Sequence, residues 1–384
     1  NPDINKQVIL DFEQELLEHK EQGEFIETLY LFVPFIVLLL MVLITYILYI
    51  KFFKPFKTNF RDAIYREIPS NHSPAVIGYL YRNKKTIGED ITATVLDLVR
   101  KDYLSLDDSL AFESPTDFDL IIKLNQEKDI NKLLDHEKYL IEWFMGLGGG
   151  TQVTTKQIEE QGDTLTNGKS FIKKVNEFKE FIRTESEKVD FFDETLLKKK
   201  KVSHVFTVIP VLLFLSCLIL GGLYSINLVM GSIVSVLTAL LFEVFIYTRK
   251  RKSEKGQELY NKWKAYNNYL LESEELKTYN MSSVDFWEHA IIYATTFGFA
   301  DKVMEQLSVN LPMTKEIASG SKYLGVGYSH SNYRYGYFVH TMNHSYNTAY
   351  SKSSIITRPV PSGRSGGGFS GGSFGGGGGG GRSR

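Results

Sequence analysis

Apolar residues run almost unbroken through Leu29–Ile50, Val202–Leu220 and Ile226–Tyr247. Each run approaches the roughly 20 residues a helix needs to cross the hydrocarbon of a bilayer, so the pattern predicts three transmembrane helices. Pro34 falls one turn into the first, where a kink is tolerated because neighbouring groups re-satisfy the backbone. Only the Gly221–Ser225 turn separates the second and third, which predicts a membrane hairpin. Ahead of the first span, Val8, Phe12, Leu16 and Leu17 recur at helical spacing between carboxylates. Residues 1–28 therefore read as an amphipathic, extracytoplasmic lead-in that prolongs the first membrane helix or packs on a further outer domain.

The pattern changes across residues 51–201. Ser73-Pro74 opens a short helix from Ala75 to Tyr81, with serine as cap and proline at the first helical position. Asp90 is placed to cap a second helix whose stripe is Ile91, Val95, Leu98 and Val99. Tyr103–Leu106 alternates like a strand, and Phe118–Leu124 is a second strand-like run beyond a loop carrying Pro115. Helix, helix and hairpin is the order of a winged helix. The theme recurs with a helix over Leu133–Phe144, a glycine stop at Gly146–Gly150, a capping box at Thr154 and Gln157, and a long helix over Ser170–Val189. The expectation is two winged-helix-like lobes. Beyond the third span, residues 248–309 predict a helical hairpin, Glu254–Glu274 followed by Val284–Ser308. From Asn310 the periodicity fails, and residues 310–384, Tyr/Ser-rich and then glycine-rich, predict a disordered tail.

Charge then orients the chain. Lys51, Lys54, Lys57 and Arg61 follow the first span, Lys198–Lys201 precede the second, and Arg249–Lys252 follow the third. The positive-inside rule puts all three clusters in the cytoplasm, and alternating crossings give the same answer. The N-terminus is thus expected outside and the C-terminus inside. The chain begins at Asn1 with no start methionine or signal pattern, which reads as a fragment or processed product. The single cysteine, Cys217, lies within the second span, so disulfides and thiolate metal sites within one chain are excluded.

Candidate chemistry is sparse. Gly231, Ser235 and Ala239 recur every four residues, the spacing that lets membrane helices approach closely. Glu243 is the costliest residue in the spans and therefore a functional candidate, with pairing to Arg249 near the surface as its plain explanation. His340 and His344 have helical ligand spacing but lie in a segment without a helix signal or a nearby carboxylate. Gly146–Gly150 lacks the Lys-Ser/Thr of a phosphate loop. No catalytic, cofactor or metal set stands out. Acidic residues outnumber basic ones across residues 62–197, which argues against nucleic acid as the partner of a winged helix.

Three stretches resemble the YciQ-like bacterial predicted membrane proteins, a family whose domain has no assigned function. They are Ser73-Pro74-Ala75 through Lys101-Asp102-Tyr103-Leu104, Trp263-Lys264-Ala265-Tyr266 through Phe299-Ala300, and the Ser365–Arg382 glycine-rich tail. The resemblance covers residues 29–384 and implies a membrane location and this topology; it brings no catalytic residues. Asp102 stands where the family tends to have glycine. The sequence thus predicts an α-helical, multi-pass protein of the bacterial plasma membrane with α+β cytoplasmic winged-helix-like lobes. Its expected partners are membrane lipid and a protein at the cytoplasmic face, with homo- or hetero-oligomers through the spans. The expected role is a scaffold or signal relay, or else an accessory subunit of an envelope enzyme or transporter.

Overall fold

The computed structural model describes residues 2–109, 119–224, 226–272, 284–310, 314–326 and 336–358. Among the described residues, three helices are long and apolar enough to cross a membrane. Helix α1, Pro2–Leu48, runs through Pro34 as one element, so the amphipathic lead-in prolongs the first span. The side chain of Tyr224, from the far end of the second span, meets this extension at His19, with ring centres 4.8 Å apart.

The extramembrane body begins with α2 (Pro74–Tyr81) and α3 (Glu89–Arg100). Strands β1 (Leu104–Asp107) and β2 (Ile121–Leu124) follow, paired antiparallel with Leu104 opposite Leu124. Next come α4 (Asp135–Leu147), β3 (Gln152–Thr154), α5 (Thr155–Glu159) and α6 (Leu165–Lys188). The capping box at Thr154 and Gln157 opens α5 with both of its bonds made. After α7 (Leu196–His204), the membrane hairpin is α8 (Val208–Tyr224) and α9 (Val229–Thr248). The chain then returns to the body as α10 (Glu254–Leu271), α11 (Val284–Phe297), α12 (Ala300–Asn310), α13 (Lys315–Gly320) and α14 (Tyr337–Ile356).

Five expectations need correction. The two lobes are not separate, because β3 pairs with β2, Val153 opposite Ile122, and completes one sheet in the order β1-β2-β3. One hydrophobic cluster joins Ile77 and Leu96 to Phe144, Phe178, Trp263, Trp287 and Met342. Ser73 does stand at the N-cap position of α2, but its side chain makes no capping bond; the hydroxyl meets His136 instead. Asp90 lies inside α3, where its carboxylate accepts the Ile87 N–H at 2.9 Å and pairs with Arg82. The predicted Val284–Ser308 helix is two, broken at Gly298, whose φ of +81° is a left-handed conformation that glycine adopts without a Cβ clash.

The fifth correction concerns the tail. Residues 337–356 are α14, not disordered chain, and Phe338, Val339, Met342, Tyr346 and Ala349 on one face are buried. This helix packs on α5 and α6, with the Phe171 and Tyr346 rings 5.7 Å apart. Its core face is carried by tyrosine, serine and methionine among the aliphatics, so it offers little contrast in hydropathy. The Gly366–Gly381 run and Pro115 lie outside the described residues.

Candidate functional site at the membrane junction

All three chain crossings meet at one arginine. Arg251 follows α9, and its Nη1 donates to the Phe52 carbonyl at 3.0 Å, in the π-helical turn Tyr49–Phe53 that ends the first span. Its guanidinium lies 3.7 Å from the centre of the Phe56 ring, farther along that segment. On the other side it lies 3.6 Å from Asp193, just ahead of α7. Backbone bonds fix the same place: Asp193 N–H donates to the Arg251 carbonyl at 3.1 Å, and Ser253 N–H to that of Phe191 at 3.0 Å. Phe192 and Lys252 thereby form a one-residue antiparallel bridge.

The electrostatics hold this knot closed. Burial works against the charge of Asp193, yet Lys199 and Thr195 outweigh it and keep the carboxyl below its ordinary range. Lys252 is buried and has no ion pair among the described residues; its ammonium donates to Asn83 and lies 4.0 Å from the Tyr260 ring centre. Burial lowers its pKa to about 8.

Within the membrane the spans converge at Gly231. A Cβ there would lie 3.1 Å from Cys217 Sγ of α8 and 3.3 Å from Pro34 Cγ of α1, so absence of a side chain lets three helices touch. The buried seam of α9 continues through Ser235, Thr238, Phe242 and Ile246, while Ala239 lies only at its edge. Ser235 returns its hydroxyl to the Gly231 carbonyl at 2.7 Å. Glu243 pairs with His204 at 2.8 Å and accepts the Thr207 hydroxyl, the first at the end of α7 and the second in the turn that leads into α8. The expected partner Arg249 instead packs over the Phe245 ring at 4.3 Å.

Two other polar arrangements resemble chemistry. Ser73 Oγ lies 2.8 Å from His136 Nε2, a nucleophile–base distance. Both side chains are buried, and His136 Nδ1 has no hydrogen-bond partner, so the carboxylate that would orient a catalytic base is missing. Burial, with Lys101 nearby, pushes the imidazole down to about 3 and keeps it neutral. Beside it, Lys101 bridges Asp97 at 2.8 Å and Glu137 at 2.7 Å. Burial opposes the Lys101 charge, and the two carboxylates outweigh burial and raise its pKa. Ser73, His136 and Glu137 are core side chains, while Lys101 keeps partial contact with solvent. His340 and His344 do share a face of α14, contrary to the expected lack of helix, but no group of three metal-ligating side chains occurs among the described residues. Residues Asp90–Val99 of α3 are all buried, which leaves that stretch of the helix no open face for a nucleic acid.

Residues 62–307 match the family described as "Predicted membrane protein (DUF2207) C-terminal domain". The chain belongs to this family. The match covers α2 to α11 and most of α12, and with them the second and third membrane helices, Asp193 and Arg251, while Phe52, Phe56, α13 and α14 lie outside it. No curated protein and no solved structure matches the chain. The DUF2207 protein therefore has a family and a membrane character but inherits no reaction. Arg251 was hidden in the sequence as one more basic residue beside a span; only the return of the chain past Phe52 and Asp193 distinguishes it from its neighbours.

Proposed function

We propose that this DUF2207 protein is a membrane-anchored relay of the bacterial plasma membrane. Its N-terminal helix reaches outside, and its body lies in the cytoplasm, where it engages a protein partner. The basic clusters beside all three spans support that orientation. One observation carries the reading: Arg251 ties all three crossings together where they enter the body. A tilt of the first helix would pull on the Phe52 carbonyl, and through Arg251 on the segments leading to α6 and α10. A mere anchor needs no such tie.

The test is Arg251→Ala beside Arg251→Lys in the full chain in lipid nanodiscs, read by amide hydrogen exchange. Loss of a charge-assisted contact costs about 2 kcal/mol, which corresponds to roughly 30-fold faster exchange at Asp193 and Ser253. Unchanged exchange in the alanine variant would sink the relay reading.

A second reading, an accessory subunit of an envelope complex, is favoured by the α1 extension. Val8, Phe12, Leu16 and Leu17 there are each more than half exposed and form an apolar stripe suited to a partner helix. Phe12→Glu with Leu16→Glu should dissolve such a complex without disturbing the body.

A further inference from the structure

Beside the Arg251 knot, the junction encloses a second feature, a cavity of about 380 Å³. Its basic lining comes from three separate stretches: Lys84 after α2, Lys200 on α7, and Arg249 and Lys250 after α9. None of these four forms an ion pair among the described residues. Lys200 donates to the Tyr247 carbonyl at 2.9 Å and Lys250 to the Asn83 carbonyl at 2.8 Å. Lys84 lies 4.6 Å from the centre of the Phe192 ring, and Arg249 Nε has no hydrogen-bond partner. Asn83 and Lys84 both hold positive φ, +52° and +67°, a conformation that non-glycine residues keep only where their surroundings over-determine it.

Carboxylates line the cavity too. Glu187 is engaged by Arg183 at 3.0 Å, and Asp193 by Lys199 at 2.7 Å and Arg251. Asp190 and Glu194 complete the acidic lining. The lysines still repel one another: burial first, then Lys85 and Lys84, lowers the pKa of Lys250. Burial also lowers that of Lys84, with Glu187 offsetting part of the effect. Cations gathered on neutral carbonyls and a ring face leave their charge open to an anion.

The position of the cavity selects the anion's source. Leu197 and Tyr247, 72% and 82% exposed, line the cavity and continue the apolar surface of the membrane helices. A dissolved ion has no use for that surface, whereas a lipid tail does. We propose that the cavity binds the phosphate of an anionic phospholipid headgroup, with Lys84, Lys200 and Lys250 around the phosphate and Leu197 and Tyr247 along the lipid's apolar part.

The experiment uses the full chain in phosphatidylcholine nanodiscs with and without phosphatidylglycerol, reading bound lipid by native mass spectrometry. Juxtamembrane lysines each contribute a modest increment to anionic-lipid affinity, so each Lys→Gln in the cavity should weaken retention about 5-fold. The Lys84→Gln/Lys200→Gln/Lys250→Gln triple should weaken it on the order of 100-fold. The matching triple Lys→Arg variant keeps the charge and should retain lipid, which separates ligand loss from misfolding. A Lys51→Gln/Lys57→Gln/Lys198→Gln control removes equal charge outside the cavity. Equal loss in that control would show diffuse surface attraction and overturn the site. Inorganic phosphate titrated into the detergent-solubilised chain provides the remaining arm. Tighter binding than the lipid's, abolished by the cavity triple, would reassign the site to a soluble phosphate and overturn the lipid assignment.

Discussion

Protonation of His136 distinguishes a structural Ser–His pair from a working one. In the native chain the ring is wholly buried beside Ser73, and its pKa is about 3, against 6.5 for the free side chain. The folded value is depressed, so the unfolded chain takes up a proton that the native chain refuses. Native stability is therefore lost as pH falls below 6.5, and the loss is complete near the folded value. At 1.36 kcal/mol per pKa unit, this one group removes about 2 kcal/mol between pH 7 and pH 5, and about 5 kcal/mol over the whole window. Asp90 acts in the opposite sense. Burial, partly offset by Arg82, raises its folded pKa to about 6, so its contribution declines as pH rises from 3.8 towards that value. That term is common to wild type and variant and cancels between them. The perturbation is His136→Gln, which has no proton to gain. Trp143, Trp263 and Trp287 all lie in the body's core, so their fluorescence reports its unfolding by urea in detergent micelles. The wild type should lose about 2 kcal/mol more than the variant between pH 7 and pH 5. Equal losses would mean that His136 already titrates in the native state, and the reading of a sealed, neutral pair would be wrong.

Other perturbations test the packing. Gly231→Leu forces a side chain into the point where Pro34 and Cys217 close on α9. Overpacking of this kind costs about 1–3 kcal/mol, and proximity crosslinking between α1 and α9 should fall sharply while body fluorescence is unchanged. Tyr346→Ala leaves a cavity between α14 and Phe171, at about 3 kcal/mol of body stability by urea titration. Ending the chain after Gly336 strips seven buried side chains from the body, and Phe338, Val339, Met342 and Tyr346 alone, at about 1.5 kcal/mol or more apiece, approach the whole stability of a domain. That shortened chain should fail to accumulate folded; normal accumulation would show α14 to be dispensable.

What the sequence disclosed follows the strength of each physical signal. The membrane helices were plain because a span needs a predominantly apolar run of about 20 residues, which no other element does. Helices α2 and α3 and the β1–β2 hairpin were legible from Pro74 and from alternation at Leu104 and Leu106. Strand β3 was not, since three residues carry no period, and with it went the single sheet that joins the two expected lobes. In α14 the core face of Phe338, Met342, Tyr346, Ala349 and Ser353 does repeat helically, yet serines and tyrosines diluted the contrast that marks a buried stripe. Asp90 resembled a cap because its local position suits one; its true partner, Arg82, comes from the turn before. Residues of the junction were the least legible. Arg251, Lys250 and Lys252 are adjacent and alike in sequence, but one ties three segments, one faces a cavity and one is buried against Tyr260. Chain reversal through the bilayer made that difference.

The relay rests on the body being seated rigidly on the bundle, and spin-label distances test this most directly. Leu240 on the lipid-facing side of α9 and Lys173 on the outer side of α6 are both exposed and suit labelling. In nanodiscs, double electron–electron resonance between them should give one narrow distribution for the parent chain and a broad one when Arg251→Ala is added. A broad distribution in the parent chain, or one that Arg251→Ala leaves unchanged, would contradict the account.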